Sequence, residues 1–189
     1  MRGLNKLRII INKIRKVYYR KVISTNTYNG YCCINQPIIF NGKGRIEFEG
    51  TTIGYNPSPG FYNSVSYIEA RNKGAHIKIG RSHINNNIKL IAQDNSINIG
   101  DNCLIGINVE IINSDFHPIS IRDRHLGGGK SKDVNIGDNV FIGNNVTILK
   151  GVTIGKNSVI ANGSVVFDDV SEDSIVRGNP ATFYKKLEY

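Results

Sequence analysis

Residues 134–169 read VNIGDN VFIGNN VTILKG VTIGKN SVIANG SVVFDD, six hexads in unbroken succession. The third position of each is aliphatic: Ile136, Ile142, Ile148, Ile154, Ile160 and Val166. The first is smaller: Val134, Val140, Val146, Val152, Ser158 and Ser164. Alternate side chains of an extended strand point to opposite faces, so first and third positions share one face. Gly, Asn and Asp at positions four to six supply a turn, because they tolerate positive φ at low cost. Six residues therefore make one short strand and one corner, and three such sides close a triangular coil of eighteen residues. One hexad cannot bury its own aliphatic side chains; stacked coils supply the core.

Working outward, residues 97–114 (INIGDN, CLIGIN, VEIINS) fit one further coil. IKIGRS at 77–82 and segments around 38–55 are weaker, interrupted versions. Between the regular coils, residues 115–133 (DFHPISIRDRHLGGGKSKD) leave the repeat and mark where the third side of one coil is let out. Loops extruded from a rigid repeat scaffold are where function usually sits.

The chain has 189 residues, enough for one domain with a short appendage. No apolar run approaches the length of a transmembrane helix. Three cysteines, two of them adjacent (Cys32, Cys33), make neither a disulfide framework nor a metal-ligand spacing, which points to a reducing cytoplasm. The formal charge of +9 is uneven: residues 1–46 hold ten Lys/Arg and no acid, and the remainder is close to neutral. The basic balance describes the N-terminus and is no argument for nucleic acid.

In that N-terminus, Leu4, Leu7, Ile11, Ile14, Tyr18 and Val22 recur at spacings of three and four, one face of a helix. Residues 1–25 thus form a basic amphipathic helix, with two readings. A repeat structure needs its open end covered, which favours a cap whose apolar face packs on the body or on another subunit. The other reading is peripheral contact with the inner face of a membrane.

The hexads, together with ILKGVTIGKNSVIANGSVV and the turn VRGNPA at 176–181, resemble the hexapeptide-repeat acyltransferases. The resemblance covers most of 77–169 and implies an all-β left-handed parallel β-helix over 26–180, with the loop at 115–133 extruded from it; the helix read from the spacing precedes it and a tail at 181–189 follows. It also implies an acetyl-CoA-dependent acyltransferase and a homotrimer; no metal is expected, given the spacing of the histidines. Sugar and xenobiotic O-acetyltransferases of the family carry such a loop, with a catalytic histidine at its start and commonly a proline after it. His117-Pro118 stands there.

Proline restricts the preceding residue to extended backbone and so helps aim the imidazole. Imidazole, with an intrinsic pKa of about 6.5, can take a hydroxyl proton at neutral pH and return it to a departing thiolate. Asp115 either orients that imidazole or shapes the exit turn. By resemblance, the SDxH pattern at 114–117 points to a surface-glycan acceptor. The alternatives in the same fold are antibiotic O-acetylation and sugar N-acetylation; a non-catalytic scaffold that docks to membranes is a different class.

The resemblance further assigns acceptor binding to Asn87, with Asn85 or Asn86 as substitutes, and to Asp94. Phe141 is a shelf for substrate or cofactor, or an outward packing residue. Gly143, Asn144, Ala161, Asn162 and Lys185 are assigned to coenzyme A, and a backbone N–H near Gly143 or Asn144 to the developing oxyanion. Asp168 and Thr182 replace the family's usual lysine and arginine, which weakens the phosphate contacts.

Other motifs fail. GGGKS at 127–131 lacks the first glycine of a nucleotide loop, since Arg124 stands there. His76, His83, His117 and His125 lack the spacing of a zinc-binding β-helix. Cys103 takes the first position of a hexad and reads as a small core residue.

Overall fold

The computed structural model describes the backbone of residues 2–188 and the side chains of residues 6–188. Leu4 of the helical stripe therefore lies outside the described side chains. The repeats form a three-faced parallel coil. One face carries the first part of Arg45–Ile53, then His76–Ile79, Ser96–Ile99, Val134–Ile136 and Thr153–Ile154. The second carries the end of Arg45–Ile53, then His83–Ile84, Leu104–Ile105, Phe141–Ile142, Val159–Ile160 and Ser174–Arg177. The third carries Ile38–Gly42, Ser66–Ala70, Lys89–Ala92, Glu110–Ile112, Thr147–Ile148 and Val165–Val166.

Register runs hexad to hexad: Ile136 lies opposite Ile99, Ile142 opposite Ile105, and Ile148 opposite Ile111. Every first and third position of the hexads at 97–114 and 134–169 is no more than 4% exposed. Each aliphatic member contributes roughly 1.5–3 kcal/mol by that burial.

The sixth position decides where the chain turns. Asn102, Asn108, Asn139, Asn145 and Asn157 all take φ between 55° and 60°, and Gly151 and Gly163 fill the same slot. Asparagine adopts this left-handed geometry more readily than other non-glycine residues. Its amide also spans the coil spacing: Asn87 donates to Asn108 at 2.8 Å, and Asn108 to Asn145 at 2.9 Å. VEIINS ends instead on Ser114, which does not take this geometry, and there the chain departs.

The departure corrects one expectation. No side is lost, because the third-face strand Glu110–Ile112 is complete and paired on both edges. The loop leaves from the corner after it. Rungs across the insertion lie 37 residues apart (Asn98 to Asn135, Asp101 to Asp138), against 18 between the regular coils that follow it (Asn139 to Asn157). A corner can admit an insertion without disturbing the ladders on either side.

A second excursion, residues 54–65, is held by two buried amides. Asn86 donates to the carbonyls of Tyr55, Ser58 and Pro59, and Gln36 to Gly60 and Ser64. At the far end, Thr182–Lys186 pairs antiparallel with Ser174–Arg177, so the expected tail adds a strand.

The start of the coil is plugged by aromatic rings: Tyr28, Phe40 and Phe48 have centroids 5.1–6.2 Å apart. Strand Asn29–Ile34 lies over them, parallel to Arg45–Ile53. The helix α1 (Arg2–Tyr18) docks here the other way round from the expected cap. Asn12 donates to the carbonyl of Asn35, Lys16 to that of Ile34, and Arg15 to those of Tyr62 and Ser64. Leu7, Ile10, Ile11, Ile14, Val17 and Tyr18 remain exposed. The physical reason is the rim of backbone carbonyls at this end, which amides and cations satisfy and methyl groups cannot. Val17 borders a cavity of about 370 Å³ against the body, with Ile34, Ile38 and Phe40.

Candidate active site in the extruded loop

The loop is closed at its neck. Ser114 and Ser131 form an antiparallel bridge, and the Asp115 N–H donates to the Lys130 carbonyl at 3.2 Å. Buried Gln93 accepts from the Ser114 hydroxyl at 2.8 Å and donates to the Gly129 carbonyl at 3.3 Å. The glycines of GGGKS now have a use unrelated to nucleotides. Gly127 and Gly128 turn the return limb at φ 73° and 77°. A Cβ on Gly129 would stand 2.5 Å from the backbone of Phe116 and of His117.

Phe116 itself has φ 60°, a strained conformation for a bulky residue and of a kind that collects at functional sites. Its ring lies under the Arg71 guanidinium, 4.6 Å from the guanidinium carbon. The kink brings the His117 N–H to the Asp115 carbonyl at 2.7 Å and leaves the imidazole exposed.

His117 Nδ1 lies 3.0 Å from the Arg124 carbonyl oxygen. A carbonyl can only accept, so Nδ1 carries the proton and the neutral ring keeps its lone pair on Nε2. The orienting group is therefore the Arg124 carbonyl, which motif reading missed because any residue type supplies one. The Asp115 carboxylate faces elsewhere: it pairs with Lys150, whose ammonium also reaches the Lys130 carbonyl at 3.4 Å. Lys150 thus ties both limbs of the loop to the corner below. Its replacement by methionine is expected to raise tryptic cleavage within 115–133 about fivefold, equivalent to losing ~1 kcal/mol of closure.

The other assigned residues fall into two groups. Phe141 and Asn144 line a groove of about 400 Å³ along the second face, together with Tyr55, His83 and Asn85. Phe141 is half exposed there. Gly143 and Asn144 share a corner with Ala161 and Asn162 of the next coil, and Lys185 projects from the exposed final strand. Of the three candidate asparagines, Asn87 is the first rung of the asparagine ladder and Asn86 is fully buried under residues 55–59. Asn85 is the one in the groove. Asp94 accepts from Asn72 at 2.7 Å, at the opposite end of strand Lys89–Ala92 from Asn87.

The oxyanion donor needs correcting. The Gly143 N–H donates to the Ile160 carbonyl at 2.8 Å, and the Asn144 N–H to Asn162 Oδ1 at 2.7 Å. Both serve the coil ladder, and neither is left over for a ligand. Cys103 is fully buried, and burial pushes its thiol above the ordinary range, so it is a core residue and no nucleophile.

Within one chain, His117 and the Gly143–Asn144 corner lie at opposite ends of the third-face strands. Ile119, Ile121 and Leu126 of the loop are 76%, 85% and 79% exposed, an apolar surface without cover in the single chain.

The family model described as bacterial transferase hexapeptide (six repeats) matches residues 133–168, and that for the hexapeptide repeat of succinyl-transferase matches 96–125. Galactoside O-acetyltransferase of Escherichia coli K12 is 39% identical over 114 residues, 60% of this chain and 56% of that enzyme. The chain spans about half the length of the curated relatives it matches, from 44% to 60% of each of the first four. Among solved structures, a hexapeptide-repeat acetyltransferase of Vibrio cholerae complexed with acetyl coenzyme A is 25% identical, with a TM-score of 0.59 over 97% of this chain and 89% of that one. A polysialic acid O-acetyltransferase is 26% identical, with a TM-score of 0.63 over 85% and 77% of the two chains. Register, corner ladders and these likenesses agree: the chain carries the hexapeptide repeat and shares the fold of the hexapeptide-repeat acetyltransferases, the left-handed parallel β-helix.

Proposed function

We propose that the protein is an acetyl-CoA-dependent O-acetyltransferase acting on a sugar hydroxyl of a surface glycan or its precursor, with His117 as general base. The observation that carries this reading is the exposed imidazole with Nδ1 held by the Arg124 carbonyl at 3.0 Å, which leaves Nε2 basic. Nε2 takes the proton of the acceptor hydroxyl as its oxygen attacks the thioester carbonyl. The tetrahedral adduct collapses, the carbon–sulfur bond breaks, and the imidazolium returns the proton to the leaving thiolate. No covalent enzyme intermediate forms. The likeness to an acetyl-CoA complex and to a polysialic acid O-acetyltransferase supports the donor and the acceptor class.

A site that holds both His117 and the Gly143, Asn144, Ala161 and Asn162 corner needs two copies of the chain. A homotrimer with sites between subunits meets that need, and a neighbour would cover the apolar tip of the loop. Acetyl-CoA with galactosides, sialic acid oligomers, amino sugars and antibiotics in turn, read by thiol release, tests the proposal. Release with a glycan acceptor and an ester product supports it. Release only with antibiotics, an amide product, or release with none of the acceptors overturns it.

A further inference from the structure

The docking of α1 leaves a surface that the chemistry at His117 does not use. At 100° per residue, Asn12 and Lys16 point to the body, and Leu7, Ile10 and Ile14 point away from it, while Val17 borders the cavity against the body. Leu7 and Ile14 are 53% and 63% exposed. Lys6 and Lys13 lie along one margin of this apolar stripe, both exposed. An exposed apolar face bordered by cations is the pattern of a helix lying in a membrane interface. Residues 1–46 carry ten Lys/Arg and no acid, so the attraction is concentrated at this end of the molecule.

We propose that the outward face of α1 seats the protein on an anionic phospholipid surface. The charge distribution chooses this occupant over a second copy. Pairing two such helices face to face would bring the cations of both helices together, with no carboxylate in either segment to offset them. Anionic headgroups relieve that charge while the acyl region takes up the apolar side chains. The polar anchoring to the Asn35, Ile34 and Ser64 carbonyls is what allows the stripe to face outward.

The test is flotation of the full chain with phosphatidylcholine vesicles, with and without about 30 mol % phosphatidylglycerol. The protein should float with the anionic vesicles, and more weakly as salt is raised to ~0.5 M. Combining Ile10→Glu with Ile14→Glu should reduce the floating fraction about tenfold. The melting temperature should stay unchanged, because both residues are exposed. Absence of flotation, or equal flotation of the double variant, would overturn the proposal. So would a double variant that floats like the parent but changes the oligomeric mass in solution, which would assign the face to a second copy.

Discussion

Replacing His117 by alanine is expected to lower kcat/KM for acetyl transfer to a glycan acceptor about 10²–10⁴-fold, the range for losing a positioned general base. The binding of acetyl-CoA should change little, because the residues assigned to coenzyme A are others, on the Gly143 and Ala161 corner that a second copy would bring to the site. Stability should move by less than ~0.5 kcal/mol, since the ring is exposed and makes one hydrogen bond, to the Arg124 carbonyl. Isothermal titration with CoA, a melting curve and thiol release separate these three quantities. An alanine variant that retains full transfer would remove His117 from the mechanism and leave the fold assignment intact. Asp115→Asn offers the contrast. Its carboxylate pairs with Lys150 and not with the imidazole, so its effect should come through loop geometry. In a double variant with Lys150→Met the losses should therefore be far from additive.

Phe48→Ala is expected to produce the largest loss of stability, about 3–5 kcal/mol, as for other buried aromatics cut back to alanine. Phe48 is 1% exposed and its ring meets both Tyr28 and Phe40. Most buried positions sit between two coils, but this plug is the last layer, covered by strand Asn29–Ile34, α1 and the segment 19–27. In a stacked repeat each layer leans on its neighbours, so the damage should stay at that end and free α1 first. Denaturant titration gives the magnitude, and early proteolysis between α1 and the body gives the location. Phe141→Ala is the control: its ring is half exposed on the second face and should cost less than ~1 kcal/mol. A Phe48 variant no weaker than this control would mean that the plug does not hold the end.

The hexads at 97–114 and 134–169 were legible down to single side chains, because burial in a stacked coil is set by strand alternation. The same pattern made Cys103 readable as core. His117-Pro118 was legible as a loop candidate through resemblance, since one sequence does not say where a loop points. Weaker repeats before residue 77 hid the excursion at 54–65, whose support comes from Asn86 and Gln36 across long sequence separations.

What the sequence determined alone is the period, and with it the three faces, the core and the corners: each depends on contacts that recur every eighteen residues. Tertiary structure decided which partner each polar group of the loop, the corners and the helix meets. It gave His117 a backbone carbonyl in place of a carboxylate, and gave the Asp115 carboxylate to Lys150, 35 residues away. It also spent the Gly143 and Asn144 amides on the ladder. Finally it turned the apolar side of α1 outward, because the rim it met offered carbonyl oxygens, and the choice between two faces of a helix is made by the surface it lands on.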